Sequence, residues 1–251
     1  MIKYIKAEFY RTFHSPLYKK FLAFCVGVML VILGVWKPLK FSDSGDFMVG
    51  MCALALVAII LVISIAMTIA YKTKDTKVQI LSYGMTRGQM YFYDLITMQA
   101  ISLVTTIILG LIALATGFVA NLLGLASVTH EAYIGFIAFV LRLILYSINL
   151  NNAIFGLGYL LNSVPLGLIG HIVILPALLQ IATAFTIDKD FGPYIMKFLK
   201  IQPYIILQDF ASDGIKAMGA DAYKIIGAGV IYVIVCFLIP GYLAFKNREI
   251  Y

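Results

Sequence analysis

The sequence has little charge for its length. Of its 251 residues, 12 % are Asp, Glu, Lys or Arg, whereas 62 % are hydrophobic. Soluble domains carry about 25 % charged residues, so this composition excludes an ordinary soluble domain. It predicts a protein that crosses a membrane several times.

The sequence also lacks the patterns that bind nucleotides or metals or that catalyse hydrolysis. It contains no GxxxxGK[ST], HExxH or GxSxG motif, and its apolar runs hold no paired carboxylates. Cys25, Cys52 and Cys236 stand apart in apolar runs without CxxC spacing, which excludes a disulfide framework and a cysteine metal site. We therefore expect no enzymatic activity, no cofactor and no metal in this chain.

Positive charge exceeds negative charge, and the net charge is +7. The basic residues lie in short clusters at the ends of apolar runs, where they would face anionic lipid headgroups. This distribution favours membrane lipid as a partner and argues against nucleic acid.

Six apolar runs are long enough to cross about 30 Å of hydrocarbon, which predicts an all-α integral membrane protein with both termini on one side. Lys and Arg concentrate before the first run, after the second and after the sixth. The positive-inside rule then places both termini and residues 72–95 in the cytoplasm. The predicted spans are residues 17–36, 47–71, 96–120, 133–160, 166–185 and 225–245.

Residues 1–16 show an amphipathic pattern. Apolar side chains recur at steps of three and four, which predicts a helix lying in the membrane interface. Pro16 disfavours helical geometry at the residue before it, so this helix should end there. No small-residue cleavage pattern follows the first apolar run, and we expect no cleavable signal peptide. The apolar positions are Ile2, Ile5, Phe9 and Phe13.

Residues 186–224, between the fifth and sixth runs, mix prolines and aromatic residues with charges. The segment is too apolar for a loose loop and too often interrupted for another span. It predicts short helices at the outer leaflet, which would either cap the exit of a pathway or serve as a packing spacer.

The segment of residues 72–95 is longer than a connector between two spans needs to be. Its centre reads LSYGMTRGQMYFYDL (residues 81–95). Gly84 and Gly88 permit a sharp turn or a close backbone approach. Thr86 stands where an N-cap would start the helix that continues into the third span.

Apolar side chains in the same segment predict a face that docks on a soluble partner. Arg87 is available for an acidic partner or for phospholipid. The alternative is an ordinary amphipathic connector that lies on the membrane surface. The candidate docking side chains are Ile80, Leu81, Tyr83, Met85 and Met90.

The run DTKVQILSYGMTRGQMYFYDLI (residues 75–96) resembles the cytoplasmic stretch between the second and third spans of type-two ABC exporter permeases. Many members of that family carry a glutamate near the start of this motif, where the present chain has Asp75. The ending PGYLAFKNREI, with Phe245 and Arg248, is similar to the closing pattern of the family. The matching steps are Asp75-Thr76-Lys77, Leu81-Ser82, Gly84 and Thr86-Arg87.

The resemblance implies a transmembrane subunit with an N-terminal elbow helix and a coupling helix that docks on a separate cytoplasmic ABC ATPase. That ATPase would bind ATP and Mg²⁺, and a second permease copy, identical or related, would complete the exporter in the bacterial plasma membrane. The residues assigned to ATPase coupling are Asp75, Ile80, Leu81, Ser82, Tyr83, Gly84, Met85, Thr86 and Arg87.

The resemblance also implies an amphipathic substrate, with peptides exported as toxins or removed for immunity. Two alternatives stay open at this point. One is a small-drug exporter of the same family, and the other is a channel or an immunity protein outside the family.

Polar side chains inside the predicted spans are candidates for a pathway or a subunit interface. A cation such as Arg142 costs about 2.5 kcal/mol or more in hydrocarbon unless it snorkels or is paired. It would either reach the headgroups or meet an acidic group or substrate. His171 is either a packing histidine or a proton carrier. The candidates are Arg142, Asn149, Asn151, Asn152 and His171.

Overall fold

A computed structural model describes residues 2–36, 47–70, 74–186, 193–194, 197–198, 201–202 and 222–247. Helices account for most of these residues, and no strand occurs among them.

The helices follow one another along the chain with short connections. Two of the long apolar helices contain one π-helical turn each, Gly170–Ile174 and Ile234–Leu238. The α-helical elements are α1 (Ile2–His14), α2 (Pro16–Trp36), α3 (Phe47–Ala70), α4 (Lys74–Ser82), α5 (Arg87–Leu122), α6 (His130–Leu161), α7 (Val164–Ile169), α8 (Leu175–Thr186), α9 (Ala222–Val233) and α10 (Ile239–Asn247).

Six helices in the described part of the chain are long and apolar enough to cross a membrane. They are α2, α3, α5, α6, the helix formed by α7 and α8, and the helix formed by α9 and α10. The predicted all-α membrane protein with six spans is therefore confirmed, and the protein is a multi-pass membrane protein.

The helix boundaries follow from local sequence. The first helix ends at His14, as predicted, and Pro16 occupies the first position of α2, where its missing N–H is not needed. Helix α5 begins at Arg87, nine residues before the predicted third span, because Thr86 caps it and no helix breaker follows. Ser163 caps α7 by accepting a hydrogen bond from the N–H of Leu166 at 3.4 Å.

The chain divides into two compact units, the first formed by residues 1–66 and 99–145. Its core is a continuous apolar cluster with buried side chains from α2, α3, α5 and α6. Tyr18 and Thr105 make a buried hydrogen bond there, with 2.9 Å between their hydroxyl oxygens. Apolar packing therefore holds this unit together, with few polar contacts.

The second unit comprises residues 67–98 and 146–251. Its helices approach at glycines, since a Cβ on Gly156 would lie 2.5 Å from the carbonyl carbon of Phe237. A Cβ on Gly167 would lie 2.8 Å from the Cα of Gly158. Small residues of this kind let transmembrane backbones come into contact. Both π-helical turns lie in this unit as well.

Some sequence predictions fall outside the described residues. These include most of the external segment 186–224, the side chain of Asp75 and the closing residue Arg248.

Candidate functional site

The site predicted from the sequence is the connector that joins α3 to α5, and it is a structured element. Helix α4 ends in a tight turn in which the N–H of Gly84 donates to the carbonyl of Leu81 at 3.0 Å. Gly84 has a φ of +87°, a left-handed conformation that favours glycine. The Ser82 hydroxyl donates to the carbonyl of Gln79 at 2.7 Å. The predicted sharp turn at Gly84 is therefore confirmed.

Thr86 and Gln89 form a capping box at the start of α5. The N–H of Gln89 donates to Thr86 Oγ1 at 3.2 Å, and the N–H of Thr86 donates to Gln89 Oε1 at 3.0 Å. The two side chains thus satisfy each other's backbone donors at the helix start. The predicted N-cap at Thr86 is confirmed.

The side chains at the tip of this connector differ in exposure. Tyr83 is 90 % exposed, whereas Ile80, Leu81 and Met85 are half-buried. An aromatic ring held in solvent on a tight turn is available to a partner. Met90, which the sequence assigned to the same face, is fully buried. That assignment was wrong because the helical apolar period of the connector continues unbroken into the packed part of α5.

Arg87 ties the start of α5 to the end of α10. Its Nη1 donates to the carbonyl of Lys246 at 2.6 Å, and a cation at a helix C-terminus interacts favourably with the helix dipole. The sequence offered Arg87 to an acidic partner or phospholipid. The structure places its guanidinium against backbone of the same chain.

A buried polar contact lies behind the tip, and we call Lys77, Tyr159 and Asp94 the anchor. Tyr159 Oη donates to Asp94 Oδ2 at 2.7 Å. Lys77 Nζ lies 5.0 Å from the centroid of the Tyr159 ring, a cation–π distance. Asp94 is fully buried, and Lys77 is 5 % exposed. One ring therefore joins a cation from α4 and a carboxyl group from α5 to helix α6.

An aromatic cluster surrounds the anchor. The Tyr91 ring lies 5.0 Å from the rings of both Phe155 and Tyr159 and 5.6 Å from that of Tyr242. Its hydroxyl donates to the carbonyl of Leu238 at 3.0 Å, beside the π-helical turn. Such edge-to-face contacts add to the free energy of burial. The start of α5 is thus fixed to α6 and α10 by packing as well as by hydrogen bonds.

Gly88 allows this close packing. A Cβ at Gly88 would lie 3.3 Å from the hydroxyl oxygen of Tyr242, tighter than an ordinary contact. The close approach predicted at this glycine is confirmed.

Sequence reasoning did not identify the anchor. Lys77 counted there only as a positive charge that sets orientation, and Asp94 and Tyr159 were not singled out. The only local signal was a carboxylate at the edge of an apolar run, where an unpaired charge is costly.

The polar candidates inside the spans fall in both units. Arg142 is half-buried in the first unit, whereas the other candidates lie in the second. Asn151 and His171 are each 1 % exposed and Asn149 is 5 % exposed, while Asn152 is half-buried. The His171 ring packs edge-on against Phe237 at 5.2 Å. The structure therefore does not present these candidates as one cluster.

The described residues contain no group of three or more His, Cys, Asp or Glu side chains that could hold a metal ion.

No model of a known protein family matches the chain, and no curated protein shows significant similarity to it.

Proposed function

We propose that the protein is the transmembrane subunit of an ATP-driven ABC exporter and that the tip formed by α4, Tyr83–Thr86 and the start of α5 is its ATPase-coupling element. One observation carries this proposal. The connector has an exposed aromatic tip and a buried root, with Tyr83 90 % exposed and Asp94 fully buried. A simple surface connector needs no such root.

The contacts of the root explain how force on the tip would reach the spans. A partner that pushes on Tyr83 displaces α4 and the start of α5 together, because the turn at Gly84 joins them. The anchor passes this displacement to α6 through Tyr159. The hydrogen bond from Arg87 passes it to the end of α10.

The tip also sets the chemistry of the partner surface. Tyr83 presents a ring and a hydroxyl, and half-buried apolar side chains flank it. An apolar pocket with a polar group at its base fits such a side chain, since buried tyrosine hydroxyls usually find a hydrogen-bond partner. The partner is a cytoplasmic ATPase that supplies ATP and Mg²⁺, and both termini of the permease lie on that side.

Two permease copies, identical or related, complete the exporter in this proposal. Its substrate is an amphipathic peptide that leaves the cell or the membrane, in toxin export or in immunity. The family resemblance of residues 75–96 supports this assignment.

The experiment is co-purification of the tagged permease with an ABC ATPase encoded beside its gene. Tyr83→Glu and Leu81→Glu place a charge on the tip. A charge buried in an apolar contact is costly, so each should lower the recovered ATPase by at least about tenfold.

The matched control is Leu123→Glu, because Leu123 is 64 % exposed and follows the other end of α5. This variant should retain the ATPase. Undiminished ATPase with both tip variants would contradict the coupling role. The absence of any ATPase partner would contradict the exporter and leave a channel or sequestering protein as the interpretation.

A further inference from the structure

Four helices of the first unit enclose a cavity of about 240 Å³. Its walls come from α2 around Cys25 and Met29, from α3 around Ala58, from α5 around Leu109 and from α6 around Phe136. Each wall lies in the interior of a helix that is apolar enough to cross a membrane. The cavity therefore lies away from the helix ends, where headgroups and water would be found.

The chemistry of the walls excludes a polar occupant. Among the described lining residues, Thr106 supplies the only hydroxyl group, and its Oγ1 already donates to the carbonyl of Ser102 at 2.8 Å. Cys25 adds only a thiol, which is a weak donor. A buried water needs two to four polar partners, and an apolar cavity of about 150 Å³ stays dry and takes benzene. The larger cavity here has room for a longer hydrocarbon segment.

The cavity is open on one side. Phe24 and Val57 both line it, and they are 61 % and 62 % exposed. These residues belong to α2 and α3, two of the candidate spans, so the medium at the opening is bilayer hydrocarbon. An acyl chain can enter from that side without leaving an apolar environment.

We propose that this cavity binds one acyl chain of a membrane phospholipid. The occupant is a lipid already present in the surrounding bilayer, and the walls recognise its chain. This inference does not depend on the proposed export function, because it concerns the first unit alone.

The experiment is native mass spectrometry of the full chain after washing in detergent and addition of palmitoyl-oleoyl phosphatidylglycerol. Wild type should retain one more lipid per chain than Ala58→Phe, in which the ring fills the cavity. Leu54→Asn, which places an amide in the same wall at similar volume, should also lose the retained lipid. Excess n-decane should displace the lipid from wild type, because decane offers a chain without a headgroup.

The control is Ala53→Phe, on the same helix, at an exposed position that does not line the cavity. It should retain the lipid as wild type does, and circular dichroism should show unchanged helix content in every variant compared. A wild-type chain that retains no lipid would overturn the proposal. Equal retention in wild type and folded Ala58→Phe would overturn it too, as would lipid that decane cannot displace.

Discussion

The two compact units achieve stability by different chemistry. In the first, apolar side chains from α2, α3, α5 and α6 form one cluster, and a cavity is left between them. In the second, backbones touch at glycines and a carboxyl group, a cation and several aromatic rings are buried together.

The difference teaches where each unit tolerates change. Side-chain packing with spare volume can adjust when a residue changes size. Backbone contact at Gly156 cannot adjust, since no flexible side chain stands between the two helices. Fixed geometry is what a lever needs, and the candidate coupling element is attached to this second unit.

Glycine substitutions should show the largest contrast. Gly156→Ala places a Cβ 2.5 Å from the carbonyl carbon and oxygen of Phe237, and overpacking of this kind costs about 1–3 kcal/mol or more. Gly27→Ala and Gly34→Ala, in α2 of the first unit, meet no atom within 4 Å. Only the first variant should lose thermal stability, measured by circular dichroism in detergent.

A loss of stability in Gly27→Ala equal to that in Gly156→Ala would remove the contrast between the units. A third variant, Gly241→Ala, should behave as Gly156→Ala does, because its Cβ would meet the carbonyl oxygen of Gly156.

Removal of a buried tyrosine hydroxyl should have a smaller effect, again unequal between the units. Tyr159→Phe deprives the fully buried Asp94 of a donor, and hydrogen bonds to charged groups contribute about 1.5–3 kcal/mol. Tyr18→Phe removes a bond to Thr105, whose hydroxyl still donates to Ile101 at 2.6 Å. That loss should be about 0.5–1.5 kcal/mol.

The measurement is the free energy of unfolding in mixed micelles titrated with a denaturing detergent. If Tyr18→Phe proved the more costly change, the view that polar contacts matter chiefly in the second unit would be wrong.

Helix caps should give the smallest effect and the same one in both units. Thr86 caps α5 in the second unit, and Thr129 caps α6 in the first by accepting from the N–H of Ala132 at 3.2 Å. Alanine at either position should cost about 1 kcal/mol. Hydrogen exchange should quicken in the first turn of the affected helix, and serine should restore protection. No change in exchange would mean that packing alone fixes these helix starts.

The sequence was sufficient for features that depend on neighbours in the chain. Apolar length predicted six spans, Pro16 predicted the break between α1 and α2, and Thr86 predicted the start of α5. Each of these follows from local hydrogen bonding or hydropathy, so a single sequence contains the information.

Features that depend on distant residues were not predictable in the same way. Asp94 and Tyr159 are 65 residues apart, and nothing local pairs them. The π-helical turns lie where helices pack, with His171 on one turn and Phe237 on the other. Met90 has the apolar character of a docking residue, and only tertiary packing shows that it is buried.

Helix α5 has a consequence for how this chain can vary in length. It runs uninterrupted for 36 residues, about 54 Å at 1.5 Å per residue, and the anchor fixes its Asp94. One residue inserted between Gln89 and Met90 would rotate the Thr86 end by about 100° relative to Asp94. Connectors usually tolerate insertions. This connector should tolerate them only at the turn around Gly84, so its angular register is part of its design.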